Sequence, residues 1–219
     1  MKKSGFTLAE VLLTLVVIGV IAALTIGTVV SNTSKKQFEA KTKKFYTQFA
    51  NAFEMYKVNN GINEFEIDEE FNPDEFAFNY LKVSSRCDKS SDSKCFSDKY
   101  YSKNGGVLNE NNMPAFGSHT YKLDDGSVFA ITHESIPTKL VFDVNGIDKP
   151  NKGGYDLWSA SIHTDGRLDD SAITPQIRNS SSASELSELV NEQYETYCNG
   201  DNYSGCFGYF IRNGFKIVD

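Results

Sequence analysis

The chain has 219 residues, enough for one domain with its own core, or for a domain carrying an appendage. Charged residues make up 23% and apolar residues 40%, which is ordinary for a globular protein, and the mean hydropathy of -0.38 makes any membrane-like stretch a local feature. A formal charge of -7 and a pI near 5.1 argue against a nucleic-acid binder, because counterion release needs clustered Lys and Arg.

The first predicted element lies in "KKSGFTLAEVLLTLVVIGVIAAL", Lys2 to Leu24. From Phe6 to Val30 the chain is apolar, and Glu10 is its single charge. At about 1.5 Å per residue such a helix can cross a hydrocarbon core of about 30 Å. Lys2 and Lys3 ahead of it set the N-terminus on the cytoplasmic side. Ala22-Ala23 imitates a signal-peptidase site, but the apolar run is too long for an ordinary secretory signal.

Phe38, Phe45, Phe49, Phe53 and Tyr56 then recur on one helical stripe, and Gly61 is a natural C-terminal cap. The pattern predicts one helix from about Phe6 to about Asn60, roughly 80 Å long. Its first half is apolar all round and its second half amphipathic. Lys35, Lys36, Lys41, Lys43 and Lys44 fall between the two halves and read as a solvated face. A carboxylate in hydrocarbon costs several kcal/mol unless it is paired, so Glu10 is a functional-site candidate; a carboxylate snorkelling at the membrane edge is the plainer alternative.

The string Gly5-Phe6-Thr7-Leu8-Ala9-Glu10, after a short Lys-bearing leader, resembles the class III signal of type IV pilins and type II secretion pseudopilins. The resemblance covers residues 2–30. It implies that residues 1–5 are a leader, that a prepilin peptidase cuts between Gly5 and Phe6, and that Phe6 is then N-methylated. It implies an α+β fold in which a long N-terminal helix, membrane-spanning in its first half, packs on a small antiparallel sheet. Residues 6–60 would be that helix, with 6–30 as the transmembrane and assembly segment, and 61–219 the globular head. The implied location is the bacterial inner membrane as a single-pass precursor, then a periplasmic or surface filament. The implied partners are other pilin or pseudopilin subunits, the peptidase, an inner-membrane assembly platform and, before assembly, lipid. Cleavage frees an ammonium on Phe6, which Glu10 could approach within its own chain, one turn away. In the family pattern it pairs instead with the N-terminal amine of a neighbouring subunit and fixes axial register. Many members carry a proline where this chain has Gly27; glycine weakens a helix by roughly 1 kcal/mol but keeps the amide donor.

Beyond Gly61, Asn72-Pro73-Asp74-Glu75 opens a short helix to about Leu81 that buries Phe76 and Tyr80. A cysteine loop and a Gly- and Asn-rich stretch reach to near Gly117. Thr120–Leu123 and Ser127–Thr132 flank Asp124-Asp125-Gly126, a hairpin signal. Lys139–Val144 and Leu157–His163 are two more β-rich runs, and Thr164-Asp165-Gly166 is a turn. Three to four antiparallel strands are therefore expected. Asn179 to Ser182 reads as a loop into a helix over Ser184–Thr196, with Ser182 and Glu185 as a capping box. The terminal "CFGYFIRNGFKIVD" is ambiguous between helix and strand.

Four cysteines allow three connectivities. Local pairing, Cys87 with Cys95 and Cys198 with Cys206, is favoured because polar, turn-rich loops can bring the ends together. Their spacing, with no His nearby, does not match structural zinc sites, and disulfides imply an oxidising compartment. "FDVNGIDKPNKGGYDLW" gathers Asp143, Asn145, Asp148, Asn151 and Asp156, a set of hard oxygen ligands that suits calcium, although the EF-hand pattern is not met. Calcium loops occur in some members of the resembled family; Asx-turns account for the same residues without a metal. No cofactor is required by either reading. His119, His133 and His163 lack metal-ligand spacing, and no nucleophile or phosphate-loop signature is present, so an enzyme is not expected. The leading reading is a structural filament subunit, major or minor. The alternative is a membrane-anchored binding or adhesin module at a filament tip.

Overall fold

The computed structural model describes residues 5, 7–62, 71–87, 95–108, 119–132, 138–200 and 202–218, excluding the side chains of 26–29, 31 and 32. Phe6, His133, the interior of the first cysteine loop and the stretch before Gly117 lie outside the described residues. The fold is α+β, with a long N-terminal helix and an antiparallel sheet. The chain divides into two compact units, residues 1–37 and 38–219.

Helix α1 runs Leu8–Asn60. Gly61 ends it at φ 65°, a left-handed conformation that costs a residue without Cβ little, and Ile62 N–H closes back on the Lys57 carbonyl at 3.0 Å. Within the first unit, Leu8–Thr25 is long and apolar enough to cross a membrane.

Within the second unit the aromatic stripe forms the core. Phe45, Phe49 and Phe53 are buried, while Phe38 and Tyr56 are half-buried at its ends. Helix α2, Pro73–Tyr80, starts as expected: Asn72 Oδ1 accepts from Asp74 N–H at 3.0 Å and Glu75 N–H at 3.2 Å. Phe76 and Ala77 are buried, but Tyr80 is only half-buried, its hydroxyl accepting from Asn59 Nδ2.

Among the described residues the sheet has six strands, not three or four: β1 (Val83–Arg86), β2 (His119–Leu123), β3 (Val128–Thr132), β4 (Thr138–Asp143), β5 (Leu157–Ile162) and β6 (Leu168–Asp169). They pair antiparallel in chain order. The two additional strands are the edges. Val83–Arg86 carries one apolar residue and β6 is a single residue pair, so neither shows a period-2 pattern.

Both faces of the central strands are covered, and side chains alternate between two cores. Phe129, Ile131, Leu140, Phe142 and Trp158 face α1 and the C-terminal helices. Phe45 stacks on Phe142 at 4.0 Å, and Trp158 packs on Phe210 at 4.5 Å. Val128, Ala130, Val141 and Leu157 point the other way, beneath Cys95, Phe96, Tyr100 and Leu108.

Thr174-Pro175 opens a short helix α3, Pro175–Ser180, where a loop was expected at Asn179–Ser180. Helix α4, Ala183–Gln193, carries the expected capping box of Ser182 and Glu185, and then widens into a π-helical turn, Tyr194–Cys198. The ambiguous C-terminal segment is a helix, α5, Cys206–Arg212. Glu39, buried on α1, holds the segment after it: Glu39 Oε1 accepts from Ile217 N–H and Oε2 from Lys216 Nζ, both at 3.0 Å.

Candidate functional site

At the N-terminus, Gly5 is exposed and precedes the helix, and Thr7 is the cap residue, its carbonyl accepting from Val11 N–H. Glu10 stands three residues into the first turn. Its Oε2 accepts from Thr7 N–H and from Thr7 Oγ1, each at 2.8 Å, while Thr7 Oγ1 accepts from Glu10 N–H at 3.3 Å. This is a reciprocal capping box, a role that the sequence reading did not give to Glu10, although Thr-x-x-Glu before an apolar run signals it. The carboxylate also sits at the positive end of the helix dipole. Phe6, the residue expected to carry the free amine, lies outside the described residues.

Further along, the apolar surface is nearly undiluted. Leu8, Leu13, Leu15, Ile18 and Leu24 are all more than half exposed, as expected for side chains that meet lipid or other helices rather than a core. Thr14 and Thr25 spend their hydroxyls on helix carbonyls of Val11 and Ile21 at 2.8 and 2.9 Å, so neither presents an unmet donor to an apolar phase. The helix passes through Gly27 unbroken.

The Asp/Asn loop is built differently from a metal cage. Asp143 ends β4 and Asp156 directly precedes β5, and both are fully buried. Asp143 Oδ1 accepts from Asn145 N–H and Gly146 N–H at 2.9 Å, and its Oδ2 from the Tyr100 hydroxyl at 2.9 Å. Asp156 Oδ2 accepts from Asn151 N–H at 2.8 Å and Oδ1 from Lys152 N–H at 2.6 Å. Burial raises the pKa of both acids, and for Asp143 the nearby Asp156 adds to it. Asn145 Nδ2 donates to the Asp148 and Lys149 carbonyls, and Asp148 itself is exposed. Asn145 Oδ1 and Asn151 Oδ1 are buried without a donor. Every carboxylate oxygen of the buried pair already holds an N–H or O–H. Among the described residues no three His, Cys, Asp or Glu side chains are grouped to hold a metal. In this arrangement the carboxylates of Asp143 and Asp156 are held by the loop's own N–H groups and the Tyr100 hydroxyl, an Asx-turn pattern that folds the loop back on itself.

Cys87 and Cys95 are paired with Cα atoms 6.0 Å apart, and Cys198 and Cys206 at 4.9 Å, the local connectivity. The second pair is almost fully buried, between the π turn and α5. Both cysteines of the first pair belong to the second core.

One charged cluster escaped the sequence reading because its members are scattered. Asp169, on β6, is shared by Arg212, at 2.8 and 2.6 Å, and Arg178, at 3.2 Å. Arg178 also reaches Asp165 at 2.5 Å. Next to it Asp170 accepts from Gly208 N–H at 2.9 Å, with its pKa pushed up to about 7 by burial and then by Asp169. His163 Nε2 lies 3.1 Å from the Asp170 carbonyl; a carbonyl can only accept, so Nε2 carries the proton. Burial lowers the pKa of this imidazole. Every partner here is a structural tie between β6, α3 and α5. His119 lies elsewhere, at the start of β2, with Nδ1 4.0 Å from Asp74.

Residues 1–26 match the model of the prokaryotic N-terminal methylation motif, which is the prepilin signal of type IV pilins and pseudopilins. No curated protein and no solved structure matches the chain.

Proposed function

We propose that this chain is the precursor of a structural subunit of a type IV pilus-like or type II secretion filament. The observation that carries this reading is the coincidence of the methylation motif over residues 1–26 with an exposed Gly5, a capped helix start and the apolar Leu8–Thr25 span. In this reading prepilin peptidase cuts between Gly5 and Phe6 on the cytoplasmic side and Phe6 is N-methylated. Residues 6–30 hold the subunit in the inner membrane, and residues 61–219 stand outside it as the head.

The capping box lies wholly downstream of the cut, so cleavage leaves its hydrogen bonds in place. Glu10 therefore remains satisfied in the membrane until a neighbour offers an N-terminal ammonium, a stronger, charge-assisted partner than a neutral hydroxyl. Exchange of Thr7 for that ammonium neutralises two charges at once and fixes the axial register of adjacent helices. The apolar stripes of α1 then bundle, delivered by the inner-membrane assembly platform. No catalytic step is assigned to the chain.

Immunogold labelling of sheared surface filaments tests the reading. Label along the filament length supports a repeating structural subunit. Label confined to tips supports the adhesin alternative. Surface filaments without label exclude a surface pilus and leave the periplasmic secretion filament, which absence of the chain from cross-linked pseudopilin complexes would in turn overturn.

A further inference from the structure

The π-helical turn brings an amine, a carboxamide and a carboxylate together on the head. In such a turn, residues five apart stack, and the Asn199 N–H bonds the Tyr194 carbonyl at 2.9 Å. Tyr194 and Asn199 therefore share one face, and Lys103 meets both. Lys103 Nζ donates to Asn199 Oδ1 at 3.0 Å and to the Tyr194 hydroxyl, and lies over the Tyr194 ring, 4.6 Å from its centroid. Asn199 Nδ2 donates to Glu195 Oε2 at 2.7 Å. Asn104 Nδ2 donates to the Asn199 backbone carbonyl and holds the two segments in register. Tyr194 is buried and stacks on Tyr209 at 4.1 Å, so the amine has an apolar wall on one side.

We propose that Lys103 and Asn199 become joined by an intramolecular amide bond, with Glu195 as the base. Lys103 Nζ, once deprotonated, attacks Asn199 Cγ. Glu195 takes a proton from the attacking nitrogen and passes it to Asn199 Nδ2. The Nζ–Cγ bond forms, the Cγ–Nδ2 bond breaks, and ammonia departs. Counted from the lysine ammonium, the remaining proton leaves with it as ammonium. Nothing is oxidised or reduced, and no further reactant is consumed. Proximity supplies what the reaction lacks in solution, since a held amine and amide react as one molecule. A cleft of about 390 Å³ opens beside Lys103, Asn104 and Asn199, and Glu195 faces solvent, so ammonia has a way out. The bond would tie the Lys103 segment covalently to the π turn that follows α4.

Intact-mass measurement of the full chain, purified in detergent, tests this. The expected mass is one ammonia below that of the disulfide-bonded sequence, and digestion yields one branched peptide joining Lys103 to Asn199. Lys103→Arg and Glu195→Gln are expected at full mass. A wild-type chain at full mass overturns the proposal. So does a deficit that persists in Lys103→Arg, which would place the lost ammonia in cyclisation of Asn199 onto Gly200.

Discussion

Replacing Asp169 with Ala removes the carboxylate that two guanidinium groups share inside the head. The Asp169 side chain is 3% exposed, against 9% for Arg178 and 25% for Arg212. Breaking a buried ion pair by deleting one partner costs about 3–5 kcal/mol, because the other charge is left without compensation. Arg178 would keep Asp165 at 2.5 Å and the Ile173 carbonyl at 2.8 Å, and Arg212 would keep the Gly208 carbonyl and some water. The lower end therefore applies, about 3 kcal/mol. With a urea slope of roughly 2–3 kcal/mol/M, the midpoint should fall by about 1 M or slightly more. Trp158 is the chain's only tryptophan and is 1% exposed, so its fluorescence reports unfolding of the detergent-solubilised chain directly. Lys44→Ala is the control: its pair with Asp125 is 54% and 36% exposed, and losing it should cost under about 1 kcal/mol. If Asp169→Ala shifts the midpoint no further than Lys44→Ala, the cluster is not the tie between β6, α3 and α5 that its geometry describes.

Further outcomes follow from other parts of the structure. Phe45→Ala empties the ring position stacked on Phe142 and should cost about 3–5 kcal/mol in the same assay. Asp170 has a native pKa of about 7 against an ordinary 3.8, so its stabilising contribution is full below about pH 4 and is lost as pH rises through 7. Asp170→Asn should flatten that part of the stability–pH curve, and an unchanged slope would contradict the assignment. Calcium and excess EDTA should leave the melting midpoint of the full chain equal, because Asp143 and Asp156 are already engaged by the loop's own donors; a calcium-dependent rise would mark the loop as a metal site. Glu10→Ala should leave the head folded, by Trp158 fluorescence, and remove the subunit from filaments; normal incorporation would refute the register role.

The sequence displayed most strongly what repeats or what punctuates. The stripe from Phe38 to Tyr56, the Asp124-Asp125-Gly126 hairpin, the Asn72 cap and the Ser182 capping box are periodic or local, and each appears where the pattern put it. The edge strands were not legible, because Val83–Arg86 is polar and β6 too short to show alternation; their state is set by the neighbours they pair with. Helix α3 hid behind a serine-rich run, with Thr174-Pro175 as its single local signal. At the site, Glu10 stands out in the sequence as a charge in an apolar run, while its bond to Thr7 is carried by the Thr-x-x-Glu spacing, a weaker signal than the charge itself. Asp143 and Asp156 were singled out for their oxygens. Whether those oxygens faced an ion or the loop's own amides depended on the Tyr100 segment and the β4–β5 connection, which no spacing encodes.

The central claim concerns one peptide bond, and the most direct test is the identity of the mature N-terminus. The chain should be co-expressed with a prepilin peptidase, recovered from membranes, and its N-terminal peptide sequenced by mass spectrometry. The account predicts a chain beginning at N-methylated Phe6 that keeps the whole Leu8–Thr25 span. A chain that still begins at Met1, or one cut after Ala22 or Ala23 and released from the membrane, would contradict it.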